Sequence, residues 1–306
     1  MRYIIACNGS AERIIFPDKT VSKLVPGGAG FFALTGIQLW TDEVMLCAGF
    51  GQDYEGQIGP WLDRNHIDRG GFNVRDERNP INTCEYISAS EWRGYADYGN
   101  DHFDSLDCFP DQDHLRDFLP DAAGVYVFRA DDPVFWGQII PLRQEFNFKL
   151  MWEIKATIAT PEKRASVEKL LESVDGFSIN RPEAFSLFEV DNDEAAIRRL
   201  RGYNLPLVVY RVGAEGLYIL AAGKSLFAES FKEYETVDVT GCGNSSTAAA
   251  FYAWREGEPI HKIAAMANVA AAHNLRFTGL MEFEPGMREL ALKQADTLAQ
   301  RLAKKK

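Results

Sequence analysis

The chain has 306 residues, of which 46% are hydrophobic and 25% are charged, so it can bury a full-sized core and is not a disordered polypeptide. Its formal net charge of −11 argues against a general nucleic-acid binder and against a protein of anionic membrane surfaces, because both need an excess of Lys and Arg. The five cysteines are scattered, and the first apolar run is too short for a signal peptide or a membrane span. We therefore expect a cytoplasmic protein with reduced thiols.

The first half of the chain alternates short apolar runs with helical patterns, and this spacing predicts βαβ units in a parallel sheet. Strands are predicted at 3–8, 44–50, 124–128 and 149–154. Helical patterns follow Pro26-Gly27-Gly28 and occupy 58–62, 113–118 and 133–143. Residues 70–110 break the rhythm because they are rich in Asn, Asp, Ser, Tyr and Gly, so we expect a small β excursion there.

The second half continues the alternation. Thr160 is predicted to cap a helix that runs to about Val174, with Pro161 in its first turn. Further strands are predicted at 176–179, 207–212 and 217–221. Further helices are predicted at 193–201, 245–255, 259–276 and 286–302.

The most informative stretch lies at 237–250. A strand-like run ends in Asp238, and Thr240-Gly241-Cys242-Gly243 then leads into an Ala-rich helical pattern. Glycines let the backbone turn tightly, and the helix start presents unpaired N–H groups at the positive end of the helix dipole. This stretch therefore predicts a cradle for an anion such as phosphate.

Four other stretches carry spaced Gly, Asp, Asn or Glu residues. They are Gly27-Gly28, the Gly49, Gly51, Asp53 and Gly56 set, the Asn180 and Glu183 pair, and the Gly213 and Gly216 turn. Each has an ordinary explanation when taken singly. Asp53 could cap the helix that follows it, and Asn180 with Glu183 could form a helix N-terminus.

Taken in their order along the chain, the five stretches resemble the signatures of the ribokinase-like (PfkB) sugar and nucleoside kinases. The resemblance covers most of the chain and implies one doubly wound α/β domain over 1–306, with a mostly parallel sheet and helices on both faces. It implies a small β lid formed by segments near 9–26 and 72–105. It also implies transfer of phosphate from ATP, with Mg²⁺, to the hydroxyl of a small sugar-like or nucleoside-like acceptor, by a protein that could form a homodimer.

The resemblance assigns roles to individual residues. Gly241, Cys242 and Gly243 would form the anion hole, and Asn180 and Glu183 would place Mg²⁺ through water. The residues that would contact the nucleotide are Asn180, Glu183, Gly213, Gly216, Asp238, Thr240 and Asn268. The acceptor would meet Gly27, Gly28, Glu12 and Asp53.

The sequence departs from the family at Asn244, which stands where the family has its catalytic base, an aspartate. An amide has no useful basicity, and general-base help is typically worth ~10²–10⁴ in rate. Three alternatives follow: a slow kinase, a kinase in which Glu12 or Asp53 takes the proton, or a protein that binds nucleotide or sugar without turnover. A mostly fungal subgroup of the family also carries Asn here and has a Trp-Glu pair similar to Trp152-Glu153.

A second departure concerns the acceptor. The family has an Asp shortly after the first strand and an Asn after the Gly-Gly turn. This chain has Asn8 to Glu12 without an Asp in the first place and Phe31-Phe32 in the second. We therefore expect an acceptor pocket that is altered or more apolar.

Overall fold

The computed structural model describes residues 1–87 and 92–304 and places them in an α/β fold with two sheets. The strands are β1 (Tyr3–Ala6), β2 (Ser10–Ile15), β3 (Val25–Gly27), β4 (Val44–Gly51), β5 (Phe72–Asp76), β6 (Ile81–Tyr86), β7 (Trp92–Ala96), β8 (Gly124–Arg129), β9 (Lys149–Ile154), β10 (Gly176–Asn180), β11 (Leu207–Arg211), β12 (Gly216–Ala221) and β13 (Lys224–Glu229). The helices are α1 (Gly28–Gln38), α2 (Tyr54–Arg64), α3 (Asn100–Phe103), α4 (Gln112–Arg116), α5 (Pro133–Phe146), α6 (Arg164–Leu171), α7 (Arg181–Phe188), α8 (Asp193–Gly202), α9 (Cys242–Arg255), α10 (Ile260–Asn274) and α11 (Met287–Lys304).

The larger sheet has the strand order β13-β12-β11-β10-β9-β8-β1-β4-β5. Its strands from β11 to β5 pair in parallel, whereas β12 and β13 form an antiparallel hairpin at one edge. The central strands are almost continuously apolar and buried, as in β8 with Val125, Tyr126 and Val127, because helices cover a parallel sheet on its faces. The predicted fold class, a doubly wound mostly parallel sheet with a small β lid, is confirmed.

The smaller sheet has the order β3-β2-β6-β7 and forms the lid. Its strand β2 pairs antiparallel with β3 and parallel with β6, and β6 pairs antiparallel with β7. Strand β5 does not join it, although it lies in the second predicted lid segment; β5 extends the larger sheet beside β4. Residues 88–91, which also fall in that segment, lie outside the described residues.

Helices α1, α9 and α10 form one layer against the larger sheet. Helix α9 packs between α1 and α10 and contacts β8, β9 and β11. Since parallel strands all point the same way, their carboxyl ends meet at one edge of the sheet, and the N-terminus of α9 faces the residues that end these strands. This packing positions the site described below.

Two local predictions were wrong. Thr160 makes no capping hydrogen bond with its side chain, and the predicted helix is divided into a 3₁₀ turn (Pro161–Lys163) and α6. The strand-like run predicted before Asp238 is also wrong, because residues 230–240 form a loop. No strand was predicted for β13, whose residues are mostly exposed or half-buried because it lies at the sheet edge. Within the described ranges no helix has the length and apolar character needed to cross a membrane.

Candidate functional site

The turn before α9 forms a cradle of backbone N–H groups. Gly241 is the N-cap of α9 and has a φ of 73°, a conformation that favours glycine. The first hydrogen bond of the helix runs from Ser245 N to Gly241 O at 2.9 Å. The N–H groups of Gly243 and Asn244 precede that bond and point toward the N-terminal end of the helix, so they can receive an anion.

The side chain of Asn244 is fixed by a buried carboxylate. Its Nδ2 donates to Glu153 Oε1 at 3.0 Å and lies 3.3 Å from the Tyr126 hydroxyl, which itself donates to Glu153 Oε2 at 2.7 Å. Glu153 is only 1% exposed. Burial, followed by the Glu153 charge, raises the pKa of Tyr126 well above its usual value, so its hydroxyl remains a donor. The position that carries a base in the related signature therefore carries a hydrogen-bond donor here.

The guanidinium of Arg211, at the end of β11, lies against the same cradle. Its Nη1 is 2.9 Å from Glu153 Oε1, and its Nη2 is 3.8 Å from Glu183 Oε2. A Cβ added at Gly243 would lie 2.0 Å from Arg211 Nη1. Gly243 is therefore required for the close approach of a cation to the start of α9.

Asn180 and Glu183 form a reciprocal capping box at the start of α7. Asn180 Oδ1 accepts from Glu183 N, and Glu183 Oε2 accepts from Asn180 N, each at 2.9 Å. The interpretation of this pair as a helix N-terminus is confirmed. Burial raises the pKa of Glu183, and Arg211 opposes that shift. The role of the pair toward Mg²⁺ stays a prediction.

A cavity of about 560 Å³ opens beside the cradle. Six residues that the sequence analysis assigned to the anion hole or the nucleotide line it: Asn180, Gly213, Gly216, Cys242, Gly243 and Asn268. One part of its wall is apolar, with Val239, Ala271 and Leu275. The cavity therefore combines an apolar wall with a few polar groups, as small-molecule sites do.

Cys242 takes part in this cavity as an inert lining residue. Its thiol lies 3.6 Å from Ala271 O, and Asn274 Nδ2 lies 3.4 Å from the sulfur. Burial raises the pKa of the thiol to about 12, and Asp238 adds to the rise, whereas the Asn274 side chain opposes it.

Asp238 and Thr240 join the lid to the cradle. Asp238 Oδ1 accepts from the Tyr86 hydroxyl at 2.6 Å and from Thr240 N at 2.9 Å, while its Oδ2 accepts from Gly279 N at 2.9 Å. Tyr86 ends β6, a strand of the lid. These bonds hold the loop before α9, and their direct role toward a nucleotide stays a prediction.

Glu12 and Ser10, on β2, lie over the Gly27-Gly28 turn. Glu12 Oε1 accepts from Gly28 N at 3.3 Å, and a Cβ added at Gly27 would be 2.2 Å from the Glu12 carboxyl carbon. Glu12 Oε2 and Ser10 Oγ are buried and have no hydrogen-bond partner among the described residues. Two oxygens that can accept hydrogen bonds therefore lie beside the Gly27-Gly28 turn, which the sequence analysis assigned to binding of the phosphate-accepting substrate.

Aromatic side chains surround this end of the site. Phe31 and Phe32 are buried, and Phe31 belongs to a cluster in which the rings of Phe50 and Phe72 are 4.2 Å apart. Phe32 lies against Gly241, since a Cβ added there would be 2.0 Å from its ring. The Phe31-Phe32 pair that departs from the family pattern therefore fills space next to the cradle with apolar surface.

Asp53 is held in the loop that leads to the lid. Its Oδ1 accepts from Asn79 N at 2.6 Å, and its Oδ2 accepts from Gln57 Nε2 at 2.7 Å. It stands at the N-cap of α2 but makes no capping hydrogen bond, so the interpretation of Asp53 as a helix cap is wrong. Its contact with an acceptor stays a prediction.

The buried carboxyl of Glu12 predicts a pH dependence of stability. Burial raises its pKa to about 7, and Asp238 adds to the rise, whereas the Gly28 N–H and the Asn82 side chain oppose it. Because the folded protein holds this proton more tightly than the unfolded chain, the free energy of unfolding falls as the pH rises from about 4.5 to about 7. The free energy of unfolding is therefore lower above pH 7 than below pH 4.5 by about 3 kcal/mol on account of this one carboxyl.

We expect Glu12→Gln to be more stable than wild type at pH 8 but not at pH 4.5, as measured by urea unfolding. If the free energies of unfolding of Glu12→Gln and wild type differ by the same amount at both pH values, the predicted pH dependence is wrong.

A comparison with known proteins identifies the family. Residues 18–285 match the model of the pfkB family of carbohydrate kinases, which is most of the chain. The chain belongs to the PfkB family. The predicted resemblance to the ribokinase-like (PfkB) kinases is therefore confirmed at the level of the family.

Relatives of this PfkB-family protein share its full length at low identity. An uncharacterized protein of Schizosaccharomyces pombe is 24% identical, over 95% of this chain and 89% of that protein. The structure of Arabidopsis thaliana ribokinase complexed with ribose and ATP superposes with a TM-score of 0.76 at 16% identity, covering 96% of this chain and 98% of that one. The structure of a putative ribokinase II from E. coli in complex with ATP and Mg²⁺ superposes with a TM-score of 0.73 at 17% identity, covering 98% of this chain and 100% of that one. At these identities the two structures show the shared fold.

Sequence reasoning on this PfkB-family chain missed three side chains of the site, Tyr86, Tyr126 and Arg211, and assigned no role to a fourth, Glu153. Glu153 and Arg211 lie at the carboxyl ends of β9 and β11, at the edge of a parallel sheet where ligands bind, and Tyr126 lies midway along β8. That signal was available, because polar residues within or directly after apolar strands stand out. Only Glu153 was noted, through the Trp152-Glu153 pair.

Proposed function

We propose that this PfkB-family protein binds ATP in the 560 Å³ cavity and acts as a phosphotransferase on the hydroxyl of a small sugar-like or nucleoside-like acceptor. One observation carries the proposal. The cavity, the free N–H groups at the start of α9 and the Arg211 guanidinium all meet at Gly243. Phosphoryl transfer depends on positioning and charge stabilisation, and these three features supply both.

The lining of the cavity suits a nucleotide. Val239, Ala271 and Leu275 offer apolar surface to a base, and Asn268 adds a polar group whose Nδ2 lies 3.3 Å from Ala228 O. The triphosphate would extend toward Gly243, where backbone donors and the helix dipole favour negative charge.

Mg²⁺ would enter with ATP and, when bound, would neutralise charge on the phosphate oxygens. Asn180 lines the cavity, and Glu183 lies next to it in the capping box. Each side chain already uses one oxygen for that box. We therefore propose that they hold the metal through water, the arrangement that Mg²⁺ favours because it dehydrates reluctantly.

The acceptor would lie between the lid and the cradle. Glu12 Oε2 and Ser10 Oγ, which have no hydrogen-bond partner in the described part of the chain, can accept from its hydroxyl groups, because a buried oxygen without a partner is costly. The nearby Phe32 ring gives this part of the site an apolar wall. These features support a small acceptor with both hydroxyl groups and an apolar face.

A second candidate function is binding of nucleotide or sugar without turnover. The observation that favours it is the amide of Asn244, which donates to Glu153 and has no basicity. Two carboxylates could replace the base. Both oxygens of Asp53 accept hydrogen bonds, whereas Glu12 Oε2 has no partner among the residues that the structure describes, and burial raises the pKa of Glu12 to about 7. Glu12 is thus the better proton acceptor if the protein turns over.

Calorimetry with ATP, ADP and adenosine tests the nucleotide site. We expect binding by wild type and its loss in Ala271→Trp, which fills the cavity, but not in the exposed control Ala303→Trp. Absence of binding at millimolar nucleotide would contradict the proposal. A panel of sugars and nucleosides is then scanned for ADP release. Nucleotide binding without ADP release on any of them would favour the non-catalytic function.

A further inference from the structure

We propose that Arg211 is a resident cation for the phosphates of the bound nucleotide, so that this protein binds ATP with little dependence on Mg²⁺. The proposal rests on the nucleotide site proposed above and adds a residue that contacts the phosphates. It concerns the affinity for ATP, and transfer of the phosphoryl group can still use the metal.

Arg211 is placed where the phosphates would lie. Its side chain lines the cavity, is 14% exposed and approaches Gly243 so closely that a Cβ there would be 2.0 Å from Nη1. Gly243 also belongs to the N-terminal turn of α9, which attracts anions. A phosphate received by this turn would therefore meet the guanidinium as well.

The guanidinium retains donors for such a ligand. An arginine carries five N–H donors. Of the two ion pairs that Arg211 forms with Glu153 and Glu183, the one to Glu153 is within hydrogen-bond distance, with Nη1 2.9 Å from Oε1. The Glu183 contact, at 3.8 Å, is an ion pair without a hydrogen bond. Nε is buried and has no hydrogen-bond partner among residues 1–87 and 92–304. A phosphate group can use such donors in pairs, because its oxygens match the planar fork of arginine.

The positive charge of Arg211 itself opposes a second cation at the same place. Glu153 and Glu183 both face the guanidinium, so the carboxylate expected to organise Mg²⁺ already has a positive partner. The Asn180 oxygen is used by the capping box. A hydrated Mg²⁺ beside Glu183 would lie close to a fixed positive charge, and this repulsion reduces what the metal adds to ATP affinity.

Calorimetric titration of ATP and adenosine, in excess Mg²⁺ and again in excess EDTA, tests the inference. We expect the wild-type Kd for ATP to change by less than about threefold between the two conditions, a difference of about 0.7 kcal/mol. Arg211→Gln should weaken ATP binding in EDTA by about tenfold while leaving adenosine binding unchanged, because charge-assisted hydrogen bonds to the phosphates are lost. The control Arg198→Gln removes an exposed charge outside the cavity and should behave as wild type.

Two results would overturn the inference. The first is a wild-type Kd for ATP that rises by about tenfold or more in EDTA, which would leave the proposed nucleotide site standing. The second is absence of ATP binding in both conditions, which would overturn both proposals. If Arg211→Gln does not fold, Arg211→Met decides, because it also removes the charge: a loss of ATP affinity in EDTA without a loss for adenosine supports the inference, and unchanged ATP affinity contradicts it.

Discussion

Asn244→Asp is expected to lower the free energy of unfolding by about 3 kcal/mol at pH 8, since the new carboxylate would face Glu153 at the 3.0 Å distance now spanned by an amide donor. Two carboxylates so close cannot both ionise without cost, and we expect the pair to share a proton with a raised apparent pKa. The loss of stability should shrink as the pH falls from 8 toward 4, because the folded protein then binds that proton. Urea unfolding at a series of pH values measures both effects.

The double variant Asn244→Asp with Glu153→Gln is the matched control. It exchanges the amide and the carboxylate between positions 244 and 153, which are in contact. The total charge of the two side chains is unchanged, so the double variant should recover most of the stability lost by the single variant. Only the double variant places an ionised carboxylate at position 244, so it alone tests whether a base there increases ADP release. A single variant that is as stable as wild type at pH 8 would show that Glu153 does not constrain this position.

Gly241→Ala is expected to lower the free energy of unfolding by about 4 kcal/mol. About 1–2 kcal/mol comes from the left-handed backbone, since Gly241 has a φ of 73°. A further contribution of about 1–3 kcal/mol comes from overpacking, because the new methyl would lie 2.0 Å from the buried Phe32 ring. We also expect ATP affinity to fall by about tenfold as the N–H groups of the cradle move. Denaturant unfolding and calorimetry measure the two losses.

Gly257→Ala separates the two causes. Gly257 has a φ of 79°, and a Cβ there would meet nothing within 4 Å, so only the backbone cost applies and about 1 kcal/mol is expected. Adding Phe32→Ala to Gly241→Ala should remove the steric part and restore some ATP affinity. If Gly241→Ala costs no more than Gly257→Ala, the contact between Phe32 and the cradle does not have the importance assigned to it.

The central strands of the larger sheet were predictable because burial on both faces of a parallel sheet demands continuous apolar runs, as in Lys149–Ile154. The cradle was predictable because Gly241 and Gly243 precede an Ala-rich helix. The 160–174 helix was less accurate, since the choice between a 3₁₀ turn and an α-turn at Pro161 depends on packing rather than on propensity. Strand β13 shows only weak alternation because it lies at an edge with much of one face exposed.

By itself the sequence determined the family, the order of the motifs and the absence of a carboxylate at position 244. Only the tertiary structure decided what surrounds Asn244. Tyr126, Glu153 and Arg211 are far apart in the chain, and they meet because β8, β9 and β11 run parallel in one sheet while α9 packs across them. A hydrogen bond between residues 91 positions apart leaves no periodic pattern in the sequence. The buried carboxylate that lies 3.0 Å from the amide at position 244 is therefore visible only in the fold.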